Sequence, residues 1–209
     1  MNIAWFWAKV PEKMTPEQTA AWRACLPAYK TQGAGEKTQD TVLLAHALLQ
    51  YAIKRETGLC PKAEDWGQTD KGKPFLPSWP QIETSLSHSG ALAFCAVADV
   101  PVGVDVQREK QISPALIDRV CTEEEKQWLY AQNEKQDALF AQLWARKESY
   151  VKAQGTGLAA GMKSVSVCEK NKGTGVFTDF RPMPCYAACL YTPQPVAPPV
   201  YIDLSKEIL

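Results

Sequence analysis

The chain has 209 residues, 45% of them apolar, enough for one large domain or two small ones around a real core. Lysine plus arginine equals aspartate plus glutamate, 23 of each, so no global basic field recruits nucleic acid and no acidic tail signals disorder. No stretch approaches the roughly 20 apolar residues that span a bilayer, the N-terminus lacks a secretory pattern, and the seven scattered cysteines include no CxxC pair. The expectation is a cytoplasmic protein with reduced thiols and no membrane or nucleic-acid partner.

In chain order, "NIAWFW" predicts a strand, and "MTPEQTAAWRACL" a helix with Thr15 as N-cap, Pro16 first and Gln18 closing a capping box. A polar loop, "KTQGAGEKTQ", precedes "DTVLLAHALLQYAIKRETG", whose apolar spacing predicts a core helix stopping at Gly58, with His46 packed among leucines. From Gly67 to Pro80 turn formers predict an irregular segment holding two lysines around a glycine. "ETSLSH", "ALAFCAVA" and "PVGVDVQ" predict strands, followed by helices at "SPALIDRV", "TEEEKQWLYAQ" and, longest, from about Asp137 to Ala153. "KSVSVCEK", "GVFTDF" and "CYAACLY" predict strands, Cys185 and Cys189 sharing one face as packing residues, before a proline-rich end along the surface. The order is α+β, not the βαβ alternation of a doubly wound sheet. The natural boundary is near Pro101, giving halves at 1–100 and 101–209.

Four places carry chemistry-bearing residues. In "VGVDVQ" the strand period puts Val102, Val104 and Val106 on one face and Gly103, Asp105 and Gln107 on the other. That polar face belongs either to an edge strand meeting water, or to a site for a hard metal or basic partner. In "WARKESYVK", Trp144, Glu148 and Lys152 share one helical stripe. Glu148 and Lys152 there form either a surface pair or, since the tryptophan turns the stripe inward, part of a site. "SLSHSG" ends a strand with a histidine between hydroxyls just after "KGKP", a set suited to anionic oxygens. A Ser-His-Asp hydrolase competes, but no GxSxG elbow is present and adjacent Ser and His point to opposite strand faces. Thr122 and Glu125 form a capping box that explains them without catalysis, though Glu125 can serve a site as well.

Together and in this order, "GKP" at Gly72 to Pro74, "SHS" at Ser87 to Ser89, "VGVDVQ", "TEEE" and "WARKESYVK" resemble the 4′-phosphopantetheinyl transferases of the surfactin-synthetase-activating type. The match spans roughly Lys71 to Gly157. The resemblance implies a monomer of two similar α+β halves related by a pseudo-twofold axis, with coenzyme A in the cleft between them. It implies transfer of the phosphopantetheine arm of coenzyme A to a serine of an acyl or peptidyl carrier protein, leaving adenosine 3′,5′-bisphosphate. Carried over residue by residue, Asp105 and Glu148 would be carboxylate ligands of Mg²⁺, with Mn²⁺ possible. Lys73, Ser87 and His88 match positions gripping the phosphates, and Lys147 and Lys152 match the lysines of the helix motif. Phosphoryl transfer then assigns Lys152 to the leaving phosphate and Glu148, or Glu125, to the serine proton.

The chain departs from that family in two ways. Gln107 stands where the family has a second strand acid, so it offers the metal a carbonyl oxygen without charge; Glu109 could substitute if the strand continued. The basic residues that the family places around its first long helix have no clean counterpart, Lys30 and Lys37 being candidates. The segment from Ile112 to Val120, with Arg119, matches the family's usual carrier-docking side. Two other readings are a degenerate relative that binds coenzyme A or a carrier protein without transfer, motivated by Gln107, and an unrelated metal-dependent phosphohydrolase.

Overall fold

The computed structural model describes residues 2–31, 40–132, 135–157, 162–169 and 171–207. Lys37 lies outside the described residues. Strand β1 (Ile3–Lys9) leads into α1 (Pro16–Ala24), where Thr15 and Gln18 close the expected capping box, and then into a short α2 (Ala28–Thr31). Helix α3 (Asp40–Thr57) stops at Gly58, which adopts φ 75°, a conformation costly for any residue with a Cβ. A small hairpin, β2 (Gly67–Gln68) and β3 (Pro74–Phe75), holds the lysine loop. Strands β4 (Glu83–Ser89), β5 (Leu92–Ala98) and β6 (Gly103–Arg108) follow, then α4 (Pro114–Val120), α5 (Glu123–Ala131) and α6 (Gln136–Gln154). The chain ends in β7 (Asn171–Lys172), β8 (Gly175–Phe180), β9 (Tyr186–Thr192) and β10 (Val200–Tyr201).

The fold is α+β. One four-stranded sheet has the order β10-β1-β5-β4 and the other β6-β9-β8-β7, and each packs one long helix, α3 or α6. Strand alternation explains why β5 and β9 are buried along their whole length. Ala93, Cys95 and Val97 of β5 face the core under α3, whereas Leu92, Phe94, Ala96 and Ala98 face a second core. That second core also takes Val102, Val104 and Val106 of β6 and Tyr186, Ala188 and Leu190 of β9. Cys189 and Tyr191 face the third core, under α6. The apolar face expected for "VGVDVQ" is therefore a shared wall between the two sheets, and Asp105 lies on the opposite side.

Strands β4 and β6 are each the edge of their own sheet, and an edge leaves backbone N–H groups without ladder partners. Here three serine hydroxyls accept them. Val104, Val106 and Arg108 donate their amides to Oγ of Ser85, Ser87 and Ser89 at 3.0, 3.4 and 3.0 Å. The alternating serines of "SLSHS" thus join the two sheets edge to edge. Gly103 does a different job at the start of β6. A Cβ there would sit 1.8 Å from the carbonyl oxygen of Ser149 and 2.6 Å from the amide nitrogen of Ala153. Only glycine lets α6 cross β6 this closely, which brings Glu148 and Lys152 onto the strand that carries Asp105.

Two expectations fail, and a third segment reaches further than expected. The described residues of "KSVSVCEK" form no ladder, because side chains of α6 capture carbonyls here: Lys147 binds that of Val165 and that of Met162 just before the segment, and Arg146 those of Val167 and Cys168. The proline-rich end lies along the surface as expected, with Pro193, Gln194 and Pro195 exposed, but it crosses to the first half. Strand β10 pairs in parallel with β1, Ile202 and Leu204 enter the first core, and the Trp5 indole donates to the carbonyl of Ala197 at 2.8 Å. Residues 200–201 therefore join the sheet of the first half, across the boundary drawn at Pro101. Cys185 precedes β9 with φ 63° and is exposed, so it does not share a packing face with buried Cys189; all seven cysteines are free thiols.

Candidate active site

Asp105 is 2% exposed, and a carboxylate that deep is tolerable only with strong partners. It has three: the Ser87 hydroxyl donates to Oδ1 at 2.6 Å, the Lys152 ammonium to Oδ1 at 2.7 Å, and the Gln107 amide to Oδ2 at 2.8 Å. Lys152 also donates to the carbonyl of Val104 at 3.1 Å. The lysine thus pairs across elements with Asp105 rather than along the helix with Glu148. Glu148, one turn earlier on α6, is half-buried, and its pKa is raised by burial first and by the Asp105 carboxylate second, with Lys152 opposing both. Two carboxylates and an ammonium therefore meet where α6 crosses β6.

Glu148 and Lys152 line a cavity of about 540 Å³ that continues under the lysine loop, where Lys71, Gly72, Lys73 and Pro74 form one side and Lys30 of α2 reaches in. Lys73 is anchored by Glu83 at 2.7 Å. His88 points to the opposite face of β4 from the serines and is exposed. Its pKa is lowered by the partial burial of its ring and by the positive charges of Lys152 and Lys30, against the pull of Asp105. Lys30, Lys73, Glu148 and Lys152 thus line one space, Asp105 stands behind it through its bond to Lys152, and His88 lies close enough to feel the charges of Lys152, Lys30 and Asp105.

Other candidates are elsewhere or otherwise occupied. Lys147 and Glu125 are both fully buried and pair with each other at 2.7 Å. Glu125 also accepts the amides of Thr122 at 2.8 Å and Val167 at 2.9 Å, while Lys147 spends its remaining donors on the carbonyls of Met162 and Val165. With no exposed atom and every partner internal, Glu125 is not placed to take a substrate proton, nor Lys147 to grip a phosphate. Ser87 gives its only proton to Asp105, so it holds the carboxylate instead of donating to a phosphate. Strand β6 ends at Arg108, and Glu109 turns away to pair with Arg181 at 3.3 Å. Gln107 offers Asp105 its amide nitrogen, which leaves the carbonyl oxygen as the atom available to a cation. Among the described residues no group of three or more His, Cys, Asp or Glu side chains forms a metal cluster.

The sequence reading missed one part of the cavity. His46 is buried as expected, but its Nε2 finds no partner among the described residues, and neither do the buried hydroxyls of Tyr29 and Thr84. All three residues line the same cavity. Burial first, then the charges of Lys30 and His88, lower the His46 pKa to about 3, so its ring is neutral. Nothing in the spacing of "LLAHALL" signals this, since a histidine in an apolar stripe looks the same whether or not its second nitrogen is satisfied.

Residues 101–197 match the family model of the 4′-phosphopantetheinyl transferase superfamily. A 4′-phosphopantetheinyl transferase of Bacillus subtilis is 33% identical over 132 residues, 63% of this chain and 59% of that protein. Enterobactin synthase component D of Escherichia coli O157:H7 is 28% identical over 160 residues, 75% of this chain and 73% of that one. A crystal structure of Thermotoga maritima holo-[acyl-carrier-protein] synthase superimposes with a TM-score of 0.38 at 24% identity, over 44% of this chain and 61% of that one. The chain spans less than two-thirds of the length of the Bacillus subtilis relative. The resemblance read from the motifs is borne out, and the second half of the chain carries the superfamily's signature.

No helix among the described residues is long and apolar enough to cross a membrane.

Proposed function

We propose that this chain transfers the 4′-phosphopantetheine arm of coenzyme A to a serine hydroxyl of an acyl or peptidyl carrier protein, leaving adenosine 3′,5′-bisphosphate. The observation that carries the reading is the meeting of Asp105, Glu148 and Lys152 beside a lysine-lined cavity, on the segment that matches the transferase superfamily. The serine oxygen forms a bond to the phosphorus bearing the pantetheine arm while that phosphorus releases the bridging oxygen. Glu148, which lines the cavity beside Lys152, takes the serine proton. Lys152, held by Asp105 and the carbonyl of Val104, neutralises the leaving phosphate. Lys30, Lys73 and His88 bind the remaining phosphate oxygens.

The donor set fits Mg²⁺, or Mn²⁺ in its place. Asp105 and Glu148 would hold the ion, and its charge would relieve the burial and repulsion that raise the Glu148 pKa. Mg²⁺ commonly takes one or two carboxylates and completes its shell with phosphates and waters, so a site without a third acid is sufficient. When bound, the ion supplies charge neutralisation at the pyrophosphate. Carrier proteins would dock along Ile112 to Val120, where Arg119 is exposed and Ile112 and Leu116 are half-buried. The chain would act as a monomer in the cytoplasm.

The test is incubation with apo carrier proteins, coenzyme A and Mg²⁺, followed by intact mass. Gain of the phosphopantetheine arm supports transfer. Phosphate release without an acceptor supports the phosphohydrolase reading, and binding without mass gain supports the degenerate relative suggested by Gln107.

A further inference from the structure

Two demands fall on the Asp105 carboxylate. It anchors the Lys152 ammonium, and it is one of the two acids that would hold a divalent cation. Its oxygens are already engaged: Oδ1 accepts from Ser87 at 2.6 Å and from Lys152 at 2.7 Å, and Oδ2 from Gln107 at 2.8 Å. A cation on the same carboxylate would stand close to the ammonium, and two positive charges repel strongly where little water screens them. The partners differ in their freedom to leave. Ser87 is tied into the seam, its Oγ accepting the Val106 amide at 3.4 Å. Lys152 has 28% of its side chain exposed and lines the cavity with Lys30 and Lys73. Its other bond, 3.1 Å to the carbonyl of Val104, does not involve Asp105. The ammonium can therefore turn about that carbonyl into the cavity without leaving strand β6.

We propose that Lys152 and a divalent cation exchange at Asp105: the lysine yields the carboxylate to the cation and turns its ammonium to the donor's phosphates, so that cation and coenzyme A promote each other's binding. This rests on the reading of the cavity as a coenzyme A site. Either ligand alone meets a penalty. A cation alone displaces the ammonium from its acid with no phosphate to receive it. A phosphate alone draws the ammonium away and strands a carboxylate that is 2% exposed. Both together leave every charge paired, and by linkage each raises the affinity of the other by the same factor. Lys152 is thus a coupling residue in addition to its part at the leaving phosphate.

Acetic anhydride labelling of the parent chain, read lysine by lysine with peptide mass spectrometry, follows the exchange without turnover and without a variant. Lys206, whose side chain is 79% exposed, is the reference, and Lys147, with no exposure, the protected control. Saturating Mg²⁺ without coenzyme A should speed Lys152 labelling at least about fivefold relative to Lys206, the lower end of typical couplings between sites. Titration calorimetry then measures the coupling itself. The Mg²⁺ affinity of the parent should rise about tenfold or more with coenzyme A bound. Lys152→Met removes the competing ammonium while Ser87 and Gln107 still hold Asp105, so it should bind Mg²⁺ alone more tightly than the parent and show a smaller rise. Unchanged Lys152 labelling while Mg²⁺ binds overturns the exchange, and so does a Lys152→Met protein with the parental coupling. Parent protein that binds coenzyme A but no Mg²⁺ overturns the exchange and leaves the cavity reading standing. Parent protein that binds neither overturns both.

Discussion

Replacing Lys147 by methionine separates a structural lysine from a substrate-binding one. The substitution keeps an unbranched side chain of similar length but removes the ammonium from a position with no solvent exposure. Three interactions go with it: the 2.7 Å pair with Glu125 and the bonds to the carbonyls of Met162 and Val165. Glu125 keeps its two backbone donors but becomes a buried carboxylate without a countercharge. Breaking one side of such a pair costs about 3–5 kcal/mol, whereas an exposed pair is worth about 0–1 kcal/mol. Against a total stability on the order of 5–15 kcal/mol, that is a large fraction. Urea denaturation followed by circular dichroism reads the loss, and coenzyme A titration of the protein that remains folded reads the site. Combining Lys147→Met with Glu125→Gln removes the stranded charge and should recover at least half of the stability. A Lys147→Met protein that loses less than about 1 kcal/mol while its coenzyme A affinity collapses refutes the assignment and returns Lys147 to the phosphates.

Other consequences follow from the seam and the cavity. Ser85→Ala strips the acceptor from the Val104 amide at a position 5% exposed, and should cost about 1–3 kcal/mol in denaturant melts. Ser89→Ala, at the wetter end, lets water replace the hydroxyl and should cost about 0.5 kcal/mol or less; equal costs would contradict the graded seam. His46 carries a pH signature. Its unfolded imidazole takes a proton near the ordinary value of 6.5, but the folded ring resists down to about 3, so the group's contribution is complete above 6.5 and is lost as pH falls toward 3. Across that window the folded state loses on the order of 5 kcal/mol relative to a His46→Leu variant. Parallel stability curves for the two proteins would show that His46 is not held neutral.

The parts of the fold legible in the sequence were those written in local chemistry. Thr15 with Gln18 and Thr122 with Glu125 announce their helices because a capping box is a short-range device. The alternation of "VGVDVQ" places its valines and its acid on opposite faces whatever surrounds the strand. What could not be read depends on partners distant in sequence. Glu125 carries the same capping pattern whether its carboxylate faces water or Lys147, and the buried outcome removes it from the chemistry. "SLSHS" reads as a ligand cluster until β4 and β6 are set edge to edge, when the serines prove to serve the amides of the neighbouring sheet. "KSVSVCEK" has a strand's alternation, but Lys147 and Arg146 take its carbonyls first. Gly103, on the same strand face as Asp105, leaves room for a close approach to the backbone. What approaches is helix α6, and that crossing is what assembles the site.

The measurement that bears most directly on the central claim is intact-protein mass spectrometry of an apo carrier protein after incubation with this chain, coenzyme A and Mg²⁺. It should be run beside Lys152→Ala and Glu148→Ala. The account predicts quantitative gain of one phosphopantetheine arm with the parent chain and a severe loss of rate with either variant, with coenzyme A still bound. Undiminished transfer by either variant would contradict the role given to that residue. An unmodified carrier with the parent chain, across several carrier proteins and metal concentrations, would contradict the transferase itself.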